Sequence, residues 1–202
     1  MREQIKIVFF GTSEFALPAL RALIQKKWHI AAVVTRPDEP AGRKLIITPP
    51  PVKKLALQEG ILVFQPEVLE PDFFKKEIPE VDLFIVAAYG KIIPKQIVAF
   101  PRLGVINIHP SLLPRWRGPS PIQTAILHGD QETGVTLIQL DELMDHGPII
   151  TQEKVALNGT PFYSTLHDKL AKLGAELLMR ILPDWTNGEI SAIPQNDELA
   201  SF

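Results

Sequence analysis

The stretch Gly104–Gly118, GVINIHPSLLPRWRG, begins as a strand and ends as a loop. Val105, Ile106 and Ile108 are β-branched and apolar, which suits a buried strand. Side chains alternate along a strand, so Asn107 and His109 share one face. Pro110 removes a backbone donor and ends regular pairing. An amide and an imidazole therefore stand side by side where a strand runs out. Open α/β sheets bind ligands at that place, outside the carboxyl ends of their strands.

Upstream, residues 81–88 (VDLFIVAA) read as a buried strand followed by Tyr89-Gly90-Lys91, with a short helix over 94–100. The chain starts with strand 5–10 (IKIVFF), a Gly11-Thr12-Ser13 turn and a helix over 15–25 that needs Pro18 in its first turn. Gly11 stands alone and G-x-G-x-x-G is absent, which argues against a dinucleotide. A strand at 30–34 leads into 35–51 (TRPDEPAGRKLIITPPP), a loop with five prolines that carries Arg36, Arg43 and Lys44. Then come a helix over 52–59 closed by Gly60, a strand at 61–64 and a helix over 71–76.

Downstream, Ser120-Pro121-Ile122-Gln123 has the residues of a capping box with proline in the first helical position, and Gly129 ends that helix. Strand 135–140, the acidic loop 141–147 (DELMDHG) and a more polar, edge-like strand at 149–157 follow. Leu166, Leu170, Leu173, Leu177 and Ile181 form the core stripe of a helix over 164–182, and 185–188 reads as a turn. Strands alternating with helices imply right-handed crossovers and an α/β fold: Rossmann-like, doubly wound, a mainly parallel sheet flanked by helices.

A chain of 202 residues builds one substantial core, and its 46% hydrophobic and 22% charged residues are ordinary for a globular protein. No cysteine is present, which excludes disulfides, thiolate nucleophiles and Cys-based zinc sites and fits a cytoplasmic protein. Met1-Arg2-Glu3-Gln4 leads straight into the first strand and no apolar run spans a bilayer, so no signal peptide and no membrane segment are expected. The net charge of −2 gives no global attraction to nucleic acid, so such a partner would need local basic patches or a part of the protein absent from this chain.

Asp145 follows His109 by one long strand, and in a parallel sheet the two loops would emerge at the same edge. A carboxylate there would raise the imidazole pKa and hold it cationic near neutral pH. The imidazolium and the Asn107 amide would then be two donors for a developing oxyanion, which suits acyl transfer to an external amine. A Ser-His-Asp hydrolase is disfavoured because G-x-S-x-G is absent and Ser111 follows His109 too closely. A metal site from His109, Asp145 and His146 has no supporting spacing, and none is expected. Arg115, Trp116 and Arg117 suit either an anionic ligand or loop anchoring.

Taken together, N-I-H-P-S-L-L-P and the later M-D-H-G resemble the signature of the folate-dependent formyltransferases. T-S-E-F-A-L-P, R-P-D-E-P-A-G-R, A-A-Y-G-K-I-I-P and L-L-P-R-W-R-G-P-S-P-I-Q extend the resemblance over roughly residues 5–193, toward members that formylate methionine on initiator tRNA. The resemblance implies 10-formyltetrahydrofolate as co-substrate, initiator methionyl-tRNA as acceptor and Asn107, His109 and Asp145 as catalytic residues. It implies a folate site at Ser111, Leu112, Leu113, Pro114, Tyr89, Gly90, Lys91 and Ile92, and tRNA contacts from Arg36, Arg43 and Lys44. Leu45-Ile46-Ile47 stand where such loops are often more basic. The same resemblance implies a monomer whose catalytic domain is 1–190, with 191–202 opening a linker to a C-terminal domain. Nucleotide-sugar N-formyltransferases share the trio and the donor; a non-catalytic folate- or RNA-binding module is the alternative of another class.

Overall fold

The computed structural model describes residues 5–42, 44–78, 80–159 and 161–202, and the chain divides into two compact units, Met1–Val105 and Ile106–Phe202. In the first, strands β1 (Lys6–Gly11), β2 (His29–Val34), β3 (Glu39–Ala41), β4 (Ile46–Thr48), β5 (Val63–Phe64) and β6 (Leu83–Ala87) alternate with helices α1 (Leu17–Gln25), α2 (Pro51–Gln58), α3 (Pro71–Glu77) and α4 (Lys95–Val98). The order β5-β2-β1-β6 is parallel throughout, with Phe10 beside both Val34 and Val86. β1 and β6 are buried along almost their whole length, which is why they read as unbroken apolar runs. Phe10, Phe74, Phe84 and Tyr89 interlock with ring centroids 5.0–5.8 Å apart. Such pairs add about 0.5–1.5 kcal/mol each beyond area burial.

Gly11 is a packing glycine. A Cβ there would lie 2.7 Å from Phe9 Cε1 and 2.9 Å from Ala16 Cβ, so its hydrogen lets the turn into α1 close against β1. Pro18, Pro51 and Pro71 all sit in the first turn of their helices, where the missing N–H has no intrahelical partner to lose. The proline-rich segment 35–51 is not structureless as expected. β3 and β4 pair antiparallel within it, Glu39 opposite Thr48 and Ala41 opposite Ile46.

The second unit is built from β7 (Val105–His109), α5 (Pro121–Leu127), β8 (Glu132–Gln139), β9 (Ile149–Ala156) and α6 (Tyr163–Asn187). β8 is antiparallel to both β7 and β9, which corrects the expectation that β7 and the next strand run parallel. The connection 128–131 after α5 delivers the chain to the C-terminal end of β7, so the next strand has to run back along it. The fold class is nonetheless α/β, a mainly parallel sheet flanked by helices.

α6 covers the face of β7 opposite Asn107 and His109. A Cβ on Gly174 would fall 2.6 Å from Ile108 Cγ2, so the helix backbone lies directly on that strand. The helix runs through Pro183 to Asn187 and ends at Gly188 with φ 74°, so 185–187 are helical rather than a turn. Ser120 does not cap α5 through its side chain: with φ −134° and ψ 43° it is not extended, and its carbonyl accepts from Thr124 instead. Among the described residues no helix is long and apolar enough to cross a membrane.

Candidate active site

Asn107 and His109 occupy alternate positions of β7 and pair with Ile138 and Thr136 of β8. His109 is 4% exposed. Its Nε2 lies 2.8 Å from the Trp116 carbonyl oxygen, which only accepts, so Nε2 carries a proton in either charge state. Nδ1 is left facing Asp145 Oδ1 at 3.5 Å. The same Oδ1 is 3.4 Å from Asn107 Nδ2, while Oδ2 accepts from the Gly118 N–H at 2.9 Å.

The three polar groups therefore meet, but by a route other than the expected one. Because β8 is antiparallel, loop 140–148 leaves the sheet next to Ile106, at the opposite end of β7 from His109. It then folds back over the strand face. Gly147 permits this: a Cβ there would lie 1.9 Å from the Gln139 carbonyl oxygen. Asp145 adopts φ 50°, unusual for a residue with a side chain, which aims its carboxylate at the strand. The contacts at 3.4 and 3.5 Å are longer than good hydrogen bonds of about 2.7–3.2 Å, so the Asn107 amide keeps capacity for an incoming oxygen and His109 Nδ1 stands beside it.

Several supporting residues were not singled out from the sequence. The buried Thr136 hydroxyl donates to the Ser111 carbonyl (2.7 Å) and accepts from Leu113 N–H (3.1 Å) and Gln152 Nε2 (2.8 Å), fixing the loop after His109. A threonine inside a buried strand was the available clue. Gln195 and the Gly118 N–H had none, since one lies in a polar tail and the other is backbone.

Ser111 and Leu113 are buried, and the Ser111 hydroxyl donates to the Arg115 carbonyl. Leu112 and Pro114 are half-exposed. A cleft of about 680 Å³ opens beside Leu112, Trp116, Thr133 and Gln152, and none of Asn107, His109 or Asp145 lines it. Arg115 and Trp116 both bond Asp130, and Arg117 bonds Gln195 and Asp197, so all three act as loop anchors.

In the first unit, Tyr89 is 2% exposed and Ile92 is 79% exposed, with Ala88 and Gly90 both at positive φ where β6 ends. Burial pushes the Tyr89 phenol up to about 12, against a smaller opposing pull from Arg36. Lys91 donates to the carbonyls of Pro66 and Glu67. Arg36 donates to Glu39 at 2.7 Å, Lys44 is exposed, and Arg43 lies outside the described residues.

A family model described as "Formyl transferase" matches residues 5–182. Among curated relatives named methionyl-tRNA formyltransferase, one from Listeria monocytogenes is 47% identical over 199 residues, 98% of this chain and 64% of the relative. Another, from Halalkalibacterium halodurans, is 45% identical over 200 residues, 98% of this chain and 63% of the relative. The chain thus spans less than two thirds of the length of the curated relatives it matches. Among solved structures, a phosphoribosylglycinamide formyltransferase from Anaplasma phagocytophilum superposes with TM-score 0.76 at 22% identity, over 94% of this chain and 90% of that one. WlaRD, a sugar 3N-formyl transferase crystallised with dTDP and 5-N-formyl-THF, gives TM-score 0.75 at 22% identity over 98% and 69%. At these identities the structural likeness speaks to the fold alone.

Proposed function

The chain belongs to the formyl transferase family, and from that membership we propose that it transfers a formyl group from 10-formyltetrahydrofolate to the free amino group of methionine on initiator tRNA. The observation that carries the reading is the meeting of the Asn107 amide, His109 Nδ1 and the Asp145 carboxylate within 3.5 Å. The names of the relatives at 45–47% identity support tRNA over other acceptors.

The residues fit a folate donor. In the first unit Ile92 offers exposed apolar surface in the loop after β6; in the second, Leu112 and Pro114 present half-exposed apolar surface after His109. Ser111 and Leu113 would shape that loop from within, and Tyr89 and Lys91 would brace the other. The donor supplies an activated formyl carbon.

As the amine attacks, negative charge develops on the formyl oxygen. The Asn107 amide donates to that oxygen, and His109 Nδ1 faces the same point. The Asp145 carboxylate would keep His109 oriented, take the proton that the attacking amine loses as the new C–N bond forms, and return it to the donor nitrogen as the old C–N bond breaks. Such proton handling typically contributes about 10²–10⁴ in rate. Arg36 ahead of β3 and Lys44 between β3 and β4, with Arg43, would meet the tRNA acceptor end. The protein is then a cytoplasmic monomer with a catalytic domain over 1–190, and 191–202 is the start of a linker that first packs back on that domain.

The test is formylation with charged initiator tRNA against amino-sugar nucleotides. Product with the tRNA is expected; product only with the sugar would overturn the acceptor assignment. Asp145→Ala is expected to lower kcat by about 10²–10⁴ while the chain still unfolds cooperatively.

A further inference from the structure

The segment after α6 returns across the second unit in extended form. Ile193 and Ile149 exchange both backbone hydrogen bonds, at 2.7 and 2.8 Å. Two residues later Gln195 is half-buried, and all its hydrogen-bonding capacity is in use. Its Nε2 donates to the carbonyl oxygens of Asp145 and Gly147, each at 2.8 Å, spanning His146. Its Oε1 accepts from Arg117 Nε (3.1 Å) and Nη2 (2.8 Å). The partners fix the amide's orientation, since carbonyls only accept and a guanidinium only donates.

These bonds close a ring. Arg117 precedes Gly118, whose N–H holds Asp145 Oδ2, and Gln195 joins the Arg117 side chain to the Asp145 backbone. Asp145 sits at φ 50°, a backbone state that persists only where the surroundings impose it. We infer that Gln195 is the positioning residue for Asp145: its two amide hydrogens hold the loop backbone so that the carboxylate meets His109 and Asn107. This rests on the reading of Asp145 as a catalytic residue. The tail has anchors of its own, since Asp197 pairs with Arg117 at 2.7 Å and the Ser201 hydroxyl accepts from the Trp116 N–H at 3.0 Å. Gln195 is thus not the tail's sole anchor among the described residues.

Gln195→Glu separates the two roles. It keeps an acceptor for Arg117 but sets carboxylate oxygens against two carbonyls, removing both donations. Gln195→Glu and Gln195→Ala are compared with wild type and Asp145→Ala, by steady-state formylation and by the NMR signal of the Gly118 amide. We expect kcat to fall about 10- to 100-fold in both Gln195 variants, the scale of a carboxylate misplaced by roughly an ångström, with KM for the donor little changed. The Gly118 amide proton is expected to move toward its position in Asp145→Ala. Where Asp145→Ala is impaired, a Gln195→Glu protein with wild-type kcat overturns the inference; an unmoved Gly118 amide overturns it in every case. If Asp145→Ala turns over normally while Gln195→Glu still moves the Gly118 signal, the catalytic reading fails and the positioning role stands.

Discussion

At the residue scale, the site depends on which atoms are already committed. The Trp116 carbonyl occupies His109 Nε2, so the nitrogen that meets chemistry is Nδ1, and it faces Asp145. Asn107 and His109 were legible in the sequence because alternation along a strand is a strict geometric rule. The carboxylate's anchor was not, because the Gly118 N–H is backbone and any residue offers one. A different group tests the electrostatics of the first unit. The Tyr89 hydroxyl is buried with no hydrogen-bond partner among the described residues, and burial holds its phenol near 12. A raised tyrosine pKa adds stability that is complete below the unfolded value of about 10 and fades as pH rises toward 12. Ultraviolet titration is therefore expected to show one phenol ionising about two units late. Tyr89→Phe is expected to leave stability unchanged or raise it by up to about 1 kcal/mol in urea unfolding, since no bond is lost. A loss above about 2 kcal/mol would mean that the hydroxyl has a partner.

At the scale of elements, the order of strands and helices was legible and the direction of β8 was not. The stretch 128–131 says only that the chain turns; whether the next strand runs with or against β7 depends on where that turn leaves it. The convergence of Asp145 with His109 survived because loop 140–148 folds back over the sheet, which needs Gly147 where any Cβ would strike the Gln139 carbonyl. The hairpin within 35–51 was hidden for a similar reason: prolines conceal a strand pair that uses few backbone donors. α6 gives an element-scale prediction. In an exposed helix Gly→Ala would stabilise by about 1 kcal/mol. At Gly174 the new methyl would lie 2.6 Å from Ile108 Cγ2, so Gly174→Ala is expected to destabilise by about 1–3 kcal/mol in urea unfolding. The double variant with Ile108→Ala should recover part of that loss. A stabilised Gly174→Ala protein would show that α6 does not lie on β7 as described.

For the whole molecule, each unit carries its own core, and the candidate trio belongs entirely to the second. The tail of that unit adds a pH-sensitive contact. The hydrogen bond that His146 donates to the Asp141 carboxylate holds its imidazole above the ordinary range, with Asp197 adding a smaller pull. A raised histidine pKa means stability that is full below about pH 6.5 and is lost as pH rises through the folded value. The stability gap between wild type and His146→Gln is therefore expected to shrink as pH rises above about 6.5. A gap that widens with pH would contradict this contact. Turnover is the property that engages the whole protein, and the central claim is that His109 and Asp145 act as one unit. The direct measurement is kcat for His109→Ala, Asp145→Ala and the double variant. We predict that each single change costs about 10²–10⁴ and that the double costs little more than the worse single. Losses that simply multiply, or a single variant within about twofold of wild type, would contradict it.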